Sequence, residues 1–374
     1  TRAGGLDGTA GARMRAAILL PVLAGKDAVG NDALAMARVL RERGIETRLF
    51  CDVAHGVDEP TSAPAGVLDF AGGPRDLLIY HFSVGWPVAL DLVARARGFR
   101  IVRYHNITPP EFFAGISRTY EAACARGRAE IPAVARLGCE LYLGDSRYNL
   151  DELVEHGAPP ERGAVLAPLH RVGHLLDAEA DLGLLDRLCD GTRNLLMVGR
   201  VAPNKGHPDL LDALAALVDG WGDPARLLIV GKSDPGLAAY DAAIRERIAR
   251  HRLEDHVCWL ESVGEAQLKA AYLASQAFVT LSRHEGFCVP LIEAMALGVP
   301  VVAHASSAIP ETIGEGGIVW NSTDPWLYAA SLARLAADAR FRNGLRDAAR
   351  ARYDREYAPA VLHERFLSLL EAAL

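Results

Sequence analysis

Apolar residues along this chain come in short continuous runs, separated by stretches in which they recur every three or four positions. The runs AAILLPV (16–22), ETRLFC (46–51), DLLIYHF (76–82), FRIVRYH (99–105) and CELYLGDS (139–146) read as buried strands. Helical patterns lie between most of them. NDALAMARVLRERG (31–44) has its apolar residues at helical spacing and ends in glycine. A second series begins at NLLMVGR (194–200). It runs through a helix at 208–219, ARLLIVG (225–231), a helix, HVCWLE (256–261), a helix, AFVTLS (277–282), the helix VPLIEAMALG (289–298) and a strand in GVPVVAH. Such alternation predicts parallel strands joined by crossover helices. The fold class expected is α/β, with two Rossmann-like doubly wound domains in series facing across a cleft, at residues 14–172 and 173–356. Residues 171–193 read as linker plus first helix, and the amphipathic helix 357–374 is placed to pack back on the first domain.

Composition narrows the class. At 374 residues the chain accommodates two domains of ordinary size, and half its residues are apolar, as in globular proteins. A net charge of −7 argues against non-specific nucleic-acid binding. The six cysteines show no paired spacing and several sit in apolar runs, which fits reduced thiols and a cytoplasmic setting. The longest early apolar run, AAILLPVLAG, is about half a membrane span and holds a proline. Residues 1–13, rich in glycine and alanine, read as a linker or tag-like extension, or as the seam of a larger polypeptide.

Ligands of open α/β sheets bind beyond the carboxyl ends of the strands, so the strand-end loops carry the candidate chemistry. GRVAPNKGH (199–207) offers Arg200 and Lys205 beside Gly199 and Gly206, two cations on one loop that suit a diphosphate. In RHEGFCVPLIEAMALG (283–298), Glu285 stands in a strand-end loop, and Gly286, Phe287 and Cys288 lead into a helix N-terminus, a natural anion site. Glu293 is expected on the first turn of that helix. HNITPPEFF (105–113) sets His105 and Asn106 in a loop fixed by two prolines, where they are able to bond sugar hydroxyls; YHFSVGWP (80–87) makes a similar offer with His81 and Trp86. VGKSDPG (230–236) lacks the GxGxxG fingerprint and reads as a strand-end turn. No metal site is expected: His170 and His174 stand at i, i+4 without an HExxH pattern.

Together these residues resemble the retaining glycosyltransferases of family 4, with the GT-B fold. GRVAPNKG matches the family's GR…KG loop, RHEGFCVPLIEAMALGVPVVA its E-x7-E segment, and SSAIPETIGEGGIVW the segment that follows. The resemblance spans residues 14–374 and is most specific over 195–320. It implies that Arg200 and Lys205 neutralise a donor diphosphate, that Glu285 contacts the transferred sugar, that the backbone of 286–288 holds the distal phosphate and that Glu293 holds the ribose. His105 matches a family histidine near the reacting carbon. Glu265 and Lys269 fall where the family meets the base. The family's first-loop glycine pair is replaced by GKDAVGND, in which Ala28, Val29 or Gly30 would supply the phosphate-facing amide.

The function expected from the resemblance is transfer of a hexose from a nucleotide diphosphate sugar to a glycan or lipid-linked acceptor, with retention and without a metal cofactor. GDP-mannose is preferred over UDP-glucose because Lys269 is placed to reach a purine oxygen. A sugar-nucleotide epimerase of the same fold and a non-catalytic sugar-nucleotide-binding partner are the alternatives. Intact Arg200, Lys205 and Glu285 favour catalysis over silence. Nine arginines between 95 and 147 suggest a face for peripheral contact with anionic lipid, against the simpler reading of a solvated basic face.

Overall fold

The computed structural model describes residues 14–25 and 27–374; the N-terminal extension lies outside the described residues. The chain divides into two compact units. The first comprises residues up to Pro109, Ala122–His170 and Pro359–Leu374; the second comprises Pro110–Glu121 and Arg171–Ala358.

The first unit holds strands β1 (Arg15–Leu19), β2 (Val22–Ala24), β3 (Glu46–Phe50), β4 (Val53–His55), β5 (Thr61–Ser62), β6 (Leu77–Phe82), β7 (Phe99–Tyr104), β8 (Leu141–Gly144) and β9 (Gly163–Val165). Seven form one sheet, β5-β3-β1-β6-β7-β8-β9, and β2 pairs β4 separately. Every paired neighbour is parallel. A parallel sheet covered on both faces needs strands that are apolar throughout, and β6 is buried along its whole length. Its aromatic residues Tyr80 and Phe82 join Tyr104, Trp86 and Tyr142 in the core.

The second unit holds β10 (Arg193–Val198), β11 (Ala225–Val230), β12 (Val257–Leu260), β13 (Ser275–Thr280), β14 (Val301–His304) and β15 (Gly317–Trp320), in the order β12-β11-β10-β13-β14-β15. Counted within the unit this is 3-2-1-4-5-6, the Rossmann order, with its topological switch between β10 and β13.

Three local expectations change. The run 16–22 is two strands, because Pro21 has no N–H to give a ladder and the chain leaves the main sheet there. The first helix starts at Ala28, three residues before the apolar pattern, because the Asp27 carboxylate accepts the Val29 N–H as an N-cap (3.1 Å). The stretch 171–193 contains two helices, Val172–Asp177 and Leu182–Leu188.

The segment Pro110–Glu121 packs with the second unit, which a division at 172/173 does not anticipate. Its aromatic residues explain this: Phe112 lies against His284 (centroids 6.1 Å apart) and the Tyr120 hydroxyl donates to Asp234, while within the segment Phe113 stacks on Tyr120 (5.2 Å). The terminal helix Pro359–Ala373 groups with the first unit, where His363 feels the charges of Glu42 and Arg38. Among the described residues no helix is long and apolar enough to cross a membrane. The six cysteines are free thiols.

Candidate functional site

In the second unit the loops after β10 and β13 flank the switch point. The first turns tightly: Gly206 has φ +68, and a Cβ there would stand 2.1 Å from the Leu281 carbonyl oxygen, so only glycine allows the two loops to touch. The contact is laced by hydrogen bonds. Asn204 Nδ2 donates to the His284 carbonyl (3.0 Å), and the Arg283 N–H donates to the Asn204 carbonyl (2.8 Å).

This brings Lys205 and Glu285, 80 residues apart, together: Lys205 Nζ lies 2.7 and 2.9 Å from the two carboxylate oxygens. Their side chains are 18% and 8% exposed. Burial by itself would lower the Lys205 ammonium, but the Glu285 carboxylate outweighs it and the lysine titrates above its ordinary range. The Glu285 N–H donates to Ser307 Oγ (3.0 Å), which fixes the His284–Glu285 peptide that presents the carboxylate. Arg200 is placed differently. Among the described residues it makes no ion pair, and its guanidinium lies over the Tyr120 ring, 5.8 Å from the centroid.

The chain then enters the helix Val289–Ala296 through Cys288, an N-cap in left-handed conformation (φ 73). Phe287 is buried edge-on against Tyr357, and its carbonyl accepts the Thr312 hydroxyl (2.9 Å). Burial, with Glu285 adding to it, holds the Cys288 thiol well above the usual range, so it is protonated and not nucleophilic. Glu293 is the fifth residue of the helix, on its second turn and not its first. Tyr272 donates its hydroxyl to Glu293 Oε2 (2.7 Å), and burial raises the Glu293 carboxyl against that bond.

The two residues expected near a base are engaged within the protein. Glu265 pairs with Arg171 (2.9 Å), and Lys269 Nζ donates to the carbonyls of Leu176 and Ala178 (2.5 and 2.7 Å). Lys269 therefore ties two helices together, and two of its three donors are taken.

The first unit gathers a second cluster. Arg103, wholly buried, donates Nε to Asp32 (2.8 Å) and Nη1 to the Leu166 carbonyl (2.7 Å), and Nη2 lies 2.8 Å from Asp145. This removes Arg103 from the basic face that the sequence suggests. His105 Nδ1 lies 3.1 Å from Asp145 and its Nε2 lies 2.9 Å from His81 Nδ1. The carboxylate requires a proton on His105 Nδ1; Nε2 then accepts from His81 Nδ1–H, and His81 Nε2 is left as a bare buried lone pair. Burial, with the Arg103 charge acting in the same direction, pushes His81 well below its ordinary range.

Being fully buried, His81 is a partner of His105 and offers no surface to an acceptor. Asn106, at φ 67, turns its amide inward to Asn149 (3.1 Å) and is likewise part of the interior. Trp86 is buried and plugs its loop. Asp32, His81 and His105 also bring three donor atoms within 4.8 Å, a spacing a metal ion is able to use, although Arg103 already balances both neighbouring carboxylates. In the first loop, Gly30 packs so closely that a Cβ would fall 2.1 Å from the Ala24 carbonyl oxygen. Asp27 occupies the Val29 amide, which leaves Ala28 and Gly30 as the candidates there.

Sequence reasoning missed Asn204, Ser307, Tyr272 and Tyr120. Asn204 and Ser307 stand inside the matched segments GRVAPNKG and SSAIPETIGEGGIVW, which could have singled them out, whereas Tyr120 and Tyr272 lie in helices with no motif to mark them.

Residues 188–352 match the family described as Glycosyl transferases group 1. The D-inositol 3-phosphate glycosyltransferase of Frankia alni is 34% identical over 294 residues, covering 73% of this chain and 68% of that protein. Its namesake from Streptomyces bingchenggensis is 30% identical over 310 residues, or 77% of this chain. That match covers 63% of the relative, so the chain spans less than two thirds of that protein's length. Among solved structures, Anabaena HepE in complex with UDP-glucose has a TM-score of 0.75 at 16% identity, over 95% of this chain and 99% of that one. Sucrose-phosphate synthase from Thermosynechococcus elongatus has a TM-score of 0.73 at 17% identity, over 96% and 98%. At such identities the likeness is one of fold, the GT-B fold of two Rossmann-like domains. With the curated relatives, it leads to one conclusion: the chain belongs to the family of group 1 glycosyl transferases.

Proposed function

We propose that this protein transfers a hexose from a nucleoside-diphosphate sugar to a glycan or lipid-linked acceptor, with retention of the anomeric configuration. The observation that carries the reading is the Lys205–Glu285 pair at the topological switch of the second unit, with the Arg200 guanidinium not bound to any carboxylate. Lys205 and Arg200 neutralise the leaving diphosphate, and the amides of Gly286, Phe287 and Cys288 at the helix start bind its distal phosphate. Glu285 accepts hydrogen bonds from hydroxyls of the transferred sugar. Glu293, oriented by Tyr272, accepts from the ribose.

The C–O bond to the diphosphate breaks as the acceptor hydroxyl attacks from the same face, and the departing phosphate oxygen takes the acceptor proton. His105, with its tautomer set by Asp145, is the first-unit histidine that the family places near the reacting carbon. No metal is required where these groups carry the charge. The neighbour's complex with UDP-glucose and the transferase names of the curated relatives support a nucleotide-sugar donor. GDP-mannose remains the other donor to test, with less weight on the base contact now that Lys269 is held by carbonyls.

The test is turnover of UDP-glucose and GDP-mannose against a panel of glycan, lipid-linked and inositol 3-phosphate acceptors, with and without excess EDTA. The anomeric proton of the product is read by NMR. An α-linkage formed equally well in EDTA is expected. A β-linkage overturns retention, and loss of activity on chelation, restored by a divalent ion, overturns the metal-free route.

A further inference from the structure

Arg200 and Lys205 stand on one loop, yet the protein holds them by different means. Lys205 is bound to both oxygens of Glu285. Arg200 faces an aromatic ring, that of Tyr120, and has no ion pair or hydrogen bond among the described residues. Tyr120 comes from Pro110–Glu121, the segment that packs with the second unit although its flanking residues belong to the first. Phe113 stacks on one side of the ring. The turn Pro235–Leu237 closes on it as well, since a Cβ on Gly236 would fall 3.3 Å from Tyr120 Cε2. The Tyr120 hydroxyl donates to Asp234, whose other carboxylate oxygen accepts the Gly236 N–H (2.8 Å).

We propose that Tyr120 is a positioning residue that presents Arg200 to the donor diphosphate. The inference rests on the diphosphate reading above. An aromatic face attracts a guanidinium through its quadrupole without neutralising it and without using its five N–H donors. A carboxylate in the same place would do both. The fork therefore stays available for two phosphate oxygens while its position is restricted in advance. Donation of the phenol proton toward Asp234 makes the ring more electron-rich and strengthens its hold on the cation. The same bond, followed by that of Gly236 and the charges of Arg200 and Lys232, keeps the Asp234 carboxyl below its ordinary range, so the acceptor of the phenol proton is ionised.

The test is calorimetric binding of UDP, GDP, UMP and GMP to the wild type, Tyr120→Phe, Tyr120→Leu, Arg200→Ala and the Tyr120→Leu/Arg200→Ala double variant. Tyr120→Leu keeps apolar bulk and removes the π face, and circular dichroism checks that each variant is folded. Tyr120→Leu is expected to weaken diphosphate binding by roughly 2- to 30-fold, the size of one cation–π contact. It should affect the monophosphates less and cause no further loss once Arg200 is gone. Tyr120→Phe, which retains the ring, should restore most of the affinity. Equal losses with and without Arg200, or a Phe variant as weak as Leu, overturn the proposal. If the wild type binds neither UDP nor GDP, the donor reading itself falls. If it binds them and Arg200→Ala weakens binding while Tyr120→Leu does not, only the positioning role falls.

Discussion

Glu285 shows how much one side chain is asked to do. Its carboxylate is nearly buried, both oxygens face Lys205, and its amide is tied to Ser307. Removing one partner of a fully buried pair costs about 3–5 kcal/mol, and less here because Lys205 keeps some contact with solvent. Glu285→Gln is the gentler probe, since the amide retains one acceptor oxygen and the side-chain volume. It loses the second acceptor proposed to face the sugar, so kcat should fall by roughly 10- to 100-fold, the scale of losing one hydrogen bond to a charged group. Affinity for UDP or GDP should change little, because the amides and the Arg200 guanidinium proposed to hold the phosphates are untouched. Steady-state kinetics alongside calorimetry separates the two effects. Parallel loss of kcat and nucleotide affinity would place Glu285 on the phosphates instead.

At the scale of the element, the helix His207–Trp221 begins directly on the glycine that lets the site loops meet. Its first residue, His207, is fully buried, with Nδ1 against the Tyr240 hydroxyl (3.2 Å). Burial, and then the Lys205 charge, lower its pKa from 6.5 to about 3. The positive end of the helix dipole acts in the same direction. Above the unfolded value the residue is neutral in both states and gives no pH dependence. Below it, the unfolded chain takes up a proton that the folded chain refuses, so stability falls from pH 6.5 toward about 3. The slope is about 1.4 kcal/mol per pH unit for each such proton. His207→Asn should flatten this acid limb in urea unfolding between pH 6.5 and 4.5, within the window set by the two values. Tryptophan fluorescence follows the right unit, since Trp221, Trp259, Trp320 and Trp326 all lie in it. An unchanged slope in the variant would mean that other groups, His81 among them, dominate the limb.

Over the whole molecule, charge decides what the surface attracts. Of the nine arginines between 95 and 147, Arg103 is buried in the first unit, while Arg95, Arg100 and Arg128 pair with Asp91, Glu140 and Glu152. Arg118 belongs to the other unit. A lipid-facing arginine contributes about 1 kcal/mol only where it is near the surface and not already paired. With an overall charge of −7, the protein should stay in the supernatant when mixed with phosphatidylserine vesicles at physiological ionic strength. Sedimentation checks this, and salt-resistant pelleting would restore a membrane-binding face.

The sequence by itself determined the long apolar strands of both sheets, most of the helices between them and the loops that carry Arg200, Lys205 and Glu285, but not the short strands β2, β4, β5 and β9 or the edge strand β15. Each is a local pattern: a parallel strand buried on both faces must be apolar throughout, and the loop after it follows in the next few residues. The same locality hid the rest. The strand order that sets the loops after β10 and β13 side by side depends on pairing between distant segments, and so does the 80-residue Lys205–Glu285 pair. Arg103 reads as one more surface cation until Asp32, 71 positions earlier, meets it in the interior. His81 and Asn106 read as ligand contacts because they end strands, but burial gave their polar atoms to His105 and Asn149. Tyr120 had no motif to mark it, and its place over Arg200 follows from the segment Pro110–Glu121 packing with the second unit. Periodicity reports which face of an element is apolar, whereas the partner of a buried charge is chosen only when the whole chain has closed around it.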